Sequence, residues 1–111
     1  LEAAAEHGAV AAPAHPGRPK VGMFAHTDEL GIPEGIRIVE TLNGGSRDDE
    51  DQIAKDGAAA NGYQGIGGSD SHIVSHIGRC GTRFENPVQT IDDLVQELKG
   101  GRFEAVSLKE A

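Results

Sequence analysis

The chain has 111 residues, a formal net charge of −8, one cysteine and only 4% aromatic residues, which limits it to one compact domain, residues 1–111, with a modest core of Ile, Val, Leu and Ala. Its negative surface disfavours nucleic acid and anionic membranes, whose phosphates are held by Lys and Arg. A lone Cys80 excludes an internal disulfide, and no apolar run approaches the roughly 18 residues of a membrane span, so a cytoplasmic protein is the default expectation.

In chain order, 1–7 reads as the tail of a helix ended by Gly8. Residues 9–14 form a small apolar run that predicts a strand, and Pro16 disfavours the α-region for His15, holding it extended at the strand's end. Residues 17–34 are mixed, with a short turn at 27–30. The β-branched run 36–42 predicts a half-buried strand. Ser46 is a candidate cap for the next helix, with Asp48, Asp49, Glu50 and Asp51 in its first turn, where the dipole favours acids, and Asn61-Gly62 as its stop.

A strand over 63–68 then leads into Ser69-Asp70-Ser71-His72. Thr82 to Glu85 reads as a short strand and Asn86-Pro87 as a break. Thr90 caps a helix, with Asp93 three residues on, whose Ile91, Leu94, Val95 and Leu98 follow helical spacing to Gly100-Gly101. Residues 103–108 alternate as a last strand. Strands separated by helices predict an α/β fold with a mostly parallel sheet, whose ligands bind beyond the carboxyl ends of the strands. His15, Asp70 and His72 all fall at such ends.

Those three residues are the candidate metal ligands. Residues i and i+2 at a strand end point to one side of the sheet, so Asp70 and His72 can converge. Carboxylate oxygen and imidazole nitrogen suit a hydrolytic Zn, Mn or Fe site. Arg18, Arg79 and Asn43 are the candidates for binding a substrate phosphate, the arginines through a bidentate fork. Lys20 and Arg83 read as solvated. Asn43-Gly44 is also a plain turn signal, and Glu40 is a candidate to support the ligands or touch substrate. His26 and His76 read as structural or exposed, the acidic 48–51 run as a solvated helix start, and Cys80 as a small buried residue.

The order His15-Pro16-Gly17-Arg18, then Ser69-Asp70-Ser71-His72, then Ile77 to Phe84 resembles the C-terminal half of the PHP (polymerase and histidinol phosphatase) family over about residues 8 to 105. The resemblance implies about three βα units of a distorted (β/α)7 barrel and a divalent metal held by the His of HP-x-R and both residues of SD-x-H. It also implies hydrolysis of a phosphomonoester or small phosphodiester by metal-activated water. The family's opening His-x-His motif does not occur here. The expectation is therefore a chain that self-associates or works with an N-terminal half that completes the barrel. A non-catalytic structural module and a metal-binding unit without hydrolysis are the alternatives.

Overall fold

In the computed structural model, which describes residues 8–27, 31, 35–47 and 49–108, four short strands and two helices pack as a mixed α/β arrangement. The expected helix tail at 1–7 lies outside the described residues, as do Asp48 and most of the 27–30 turn. Strand β1 (Ile38–Asn43) runs parallel to β2 (Gln64–Gly68), from Ile38 opposite Gln64 to Asn43 opposite Gly68. Helix α1 (Glu50–Asn61) makes the crossover between them. Its buried Ala54 and Ala58 are four residues apart and so share a face, which packs on β1. Ile36, Val39 and Ala58 form the centre of the core, with Met23 and Tyr63 against them.

The second pair is antiparallel. Strand β3 (Cys80–Phe84) joins β4 (Phe103–Ser107) through helix α2 (Ile91–Gly100), with Cys80 opposite Ser107 and Phe84 opposite Phe103. This corrects the expectation of a mostly parallel sheet. The segment between Phe84 and Phe103 starts and ends at the same place, because its two ends are tied together. Glu85 N–H donates to the Arg102 carbonyl at 3.0 Å. The buried Glu97 carboxylate takes Asn86 Nδ2 at 2.7 Å and Arg102 Nε at 2.8 Å. Arg102 and Asn86, in that order of effect, hold the Glu97 carboxyl below the usual carboxylate range.

Two other boundaries move. Residues 9–14 form no strand; they lie beside β1 through one bond, from Glu40 N–H to the Pro13 carbonyl at 3.1 Å. Proline can accept but not donate in a ladder, and Pro13 stands at the point of contact. Helix α1 starts at Glu50 without Ser46 as its cap: the Glu50 carboxylate reaches back to Arg47 N–H at 2.7 Å, and Asp49 occupies the cap position without a side-chain bond. The expected stop at Gly62 holds, at φ 72°.

The two strand pairs meet along β2 and β3. The Thr82 hydroxyl accepts from Gly67 N–H at 2.9 Å and donates to the Gly67 carbonyl at 3.0 Å, standing in for a backbone ladder. Gly67 has to be glycine here, since a Cβ would overlap the Gly81 carbonyl oxygen. Cys80 is buried at the start of β3, as its composition suggests. Among the described residues no helix is long and apolar enough to cross a membrane.

Candidate active site

The carboxyl ends of β1 and β2 are neighbours, and the side chains beyond them converge. A tight turn at Gly44-Gly45 follows β1. Gly44 N–H donates to the Gly68 carbonyl at 2.9 Å, which pins that turn to the end of β2. Asp70 follows two residues later in a left-handed conformation, φ 50°, where a short carboxylate side chain is tolerated.

His15 also has a positive φ, 28°. It is therefore not held extended, as Pro16 suggested. A local turn outweighs the preference: Arg18 N–H donates to the His15 carbonyl at 3.1 Å, and His15 N–H is taken by Glu40 Oε1 at 2.9 Å. Backbone strain of this kind is of order 1–3 kcal/mol and collects at functional sites. The same turn brings Arg18 across the strand ends. Its Nη2 donates to Asp70 Oδ2 at 2.9 Å and lies 3.4 Å from Asn43 Oδ1, while its Nε stands 3.9 Å from Glu50 Oε1.

Arg18 dominates the electrostatics. Its hydrogen bond holds the Asp70 carboxyl below the usual carboxylate range; partial burial opposes this, and the positive charge of Arg18, then the imidazoles of His72 and His15, add to it. His15 Nδ1 is buried and, among the described residues, has no hydrogen-bond partner. His72 is placed differently. Its side chain is 82% exposed, with Nδ1 at 3.0 Å from the Asp70 carbonyl and 4.0 Å from Asp70 Oδ1. Among the described residues no three His, Cys, Asp or Glu side chains stand close enough to hold an ion.

Asn43 is the hub. It is 2% exposed. Its Nδ2 donates to Glu40 Oε1 at 2.5 Å, its Oδ1 accepts from Gly45 N–H at 2.8 Å, and its backbone N–H is taken by Asp51 Oδ1 at 3.1 Å. An Asn expected to touch substrate is thus occupied with internal partners. Arg79 lies at the same edge, Nη1 3.4 Å from the Gly44 carbonyl. Glu50 and Asp51 are expected in a solvated helix start, yet Glu50 Oε1 lies 3.9 Å from Arg18 Nε and Asp51 Oδ1 takes the Asn43 N–H. They instead fold back onto the site.

His26 Nε2 bonds the Lys20 carbonyl at 2.5 Å. His76 sits in a short 3-10 turn, Val74–His76, in the exposed segment after His72. Ser69 closes that segment, its hydroxyl accepting from Gly78 N–H at 2.8 Å and donating to the Cys80 carbonyl at 3.2 Å.

No curated protein and no solved structure matches the chain. The family model described as PHP-associated matches residues 50–103. The match begins in the first turn of α1 and takes in Asp70, His72 and Arg79, with His15 and Arg18 before it. Residues 50–103, with the Asp70 loop they contain, are thus similar to the PHP-associated family, in keeping with the C-terminal PHP region that the motif order resembles.

Proposed function

We propose that this chain supplies the C-terminal ligand edge of a metal-dependent phosphoesterase of the PHP type, acting on a small phosphomonoester or phosphodiester. The observation that carries the reading is the convergence of His15, Arg18 and Asp70 at the carboxyl ends of two parallel strands. The donor types are those that a divalent Zn, Mn or Fe ion takes, a buried imidazole nitrogen without a partner among the described residues on His15, the Asp70 carboxylate and the His72 imidazole, and the three would have to draw closer to hold one. When bound, such an ion polarises a phosphoryl oxygen and makes water a better nucleophile. The chain's own part is positional. Glu40 holds the His15 backbone, Asn43 holds Glu40, and Arg18 and Arg79 offer guanidinium groups to an anionic substrate at the same edge.

In this reading the two strand pairs are part of a distorted (β/α)7 barrel, completed by an N-terminal half or by a second copy, in a protein of the cytoplasm. Small substrates suit a chain of net charge −8 better than nucleic acid does. The exposed His72 favours a second reading, a non-catalytic PHP-derived module that keeps the strand-end network for structure or metal binding alone.

Hydrolysis of small aryl phosphates with added Mn2+ or Zn2+ tests this, on the chain alone and joined to an N-terminal PHP half. Hydrolysis that needs the metal and disappears in Asp70→Asn supports the enzyme. Turnover that is indifferent to metal, or unchanged in Asp70→Asn, rules it out. Metal bound without hydrolysis in either form supports the module.

A further inference from the structure

At the amino ends of β1 and β2, away from the site already described, the chain forms a second hollow. The two strands begin with Ile38 opposite Gln64, and the length of β1 puts this end about 16 Å from the carboxyl end. A groove of about 810 Å³ opens there, within the size range of small-molecule sites. We propose that it binds a small organic anion, an apolar body carrying one carboxylate or phosphate group. The proposal does not rest on any chemistry at the carboxyl ends of the strands.

Hydrogen bonds fix the shape of the groove. Gln64 N–H donates to the Arg37 carbonyl at 2.9 Å, joining β2 to the start of β1, and Gln64 Nε2 donates to the Gly101 carbonyl at 3.0 Å, joining both to the end of α2. Much of the lining is apolar: Ile36 and Ile38 are buried, and Tyr63 packs against the core. Charge selects the ligand. The chain carries 18 acidic residues against 10 Lys and Arg, yet no described Asp or Glu lines the groove, whose charged groups are the exposed Arg37 and Lys99. Neither is in an ion pair with a described carboxylate. Helices α1 and α2 both end here, and bare C-terminal carbonyls would favour a cation. Gly62 N–H caps those of Ala58 and Ala59, and Gly101 N–H caps those of Glu97 and Leu98, which weakens that field. An apolar lining with two exposed cations complements an organic oxyanion.

The test is titration of benzoate into the 15N-labelled full chain, with benzamidine as a cation of similar shape. Benzoate should shift the amide resonances of Gln64 and Gly101 saturably, while benzamidine leaves them in place. The double variant Arg37→Gln/Lys99→Gln, at two exposed positions, should weaken benzoate binding by about fivefold or more. Shifts that never saturate, equal shifts with benzamidine, or unchanged affinity in the double variant would overturn the proposal. Shifts confined to the amides of Gly45 and Asp70 would place the anion at the carboxyl ends of the strands and overturn it as well, with the phosphoesterase reading left standing. A measurement on the unmodified protein decides the matter even if the variant does not fold. Benzoate affinity should fall as NaCl is raised, because the exposed cations are screened, and an affinity indifferent to salt would overturn the proposal.

Discussion

At the scale of single residues, the site is governed by polar groups that satisfy one another out of solvent. Asn43 shows this most clearly, since its carboxamide links Glu40, Gly45 and Arg18 at the end of β1. Removing one member of such a network costs the desolvation of the partners left behind, not only the bond. Asn43→Ala should therefore lower stability by about 2 kcal/mol, read as a drop in the urea midpoint. It should also release the Arg18 and His15 loop, seen as faster amide exchange at Arg18. A midpoint unchanged within error would show that the network carries no stability.

The elements owe their limits to short-range chemistry, and α2 is the example. Thr90 Oγ1 accepts from Asp93 N–H at 3.0 Å, and Asp93 reaches back to Gln89 N–H at 3.1 Å. Gly101 ends the helix at φ 72°. Thr90→Ala leaves an orphan donor in the first turn and should cost about 1 kcal/mol, measured by thermal or urea unfolding, whereas Thr90→Ser should cost little. Start and stop of this helix are legible in the chain because both signals act within three or four residues. The start of α1 was not so readily legible. There Glu50 competes with Ser46, and its carboxylate bonds the Arg47 N–H instead of leaving the helix to begin earlier.

For the whole molecule, two contacts are acid-sensitive: Arg18 with Asp70, across 52 residues of sequence at the site, and Arg102 with Glu97, which fixes the end of α2 against the start of β4. Both carboxyls have depressed values in the folded state. The unfolded chain therefore binds protons more readily than the native one as the pH falls, and the stability these contacts contribute is present above the unfolded value of about 4 and lost below it. Urea midpoints should be level between pH 7 and 5 and fall toward pH 3. Glu97→Gln should flatten part of that fall; an identical slope would remove Glu97 as a cause. Two-stranded sheets are marginal by themselves, and Ile73, Val74 and Ile77 are 58%, 84% and 68% exposed in the segment after His72. Sedimentation velocity should show association that grows with concentration, and a monomer at every concentration would count against completion of the fold by a second copy.

Much of the element map was contained in the chain itself. The β-branched run behind β1, the Thr90 cap, the glycine stops and the helical spacing of α2 are local signals, and local physics reads them to within a few residues. The placement of Asp70 just past a strand end followed from the same reasoning. Tertiary structure alone decided the rest. It set β3 and β4 antiparallel, with Glu97 of the intervening helix bonded to Asn86 and Arg102 near their ends. It turned His15 out of the extended region through contacts with Glu40 and Arg18, and it brought Arg18 onto Asp70 across 52 residues of sequence. Periodicity and capping see only neighbours along the chain, whereas a buried charge chooses its partner in space.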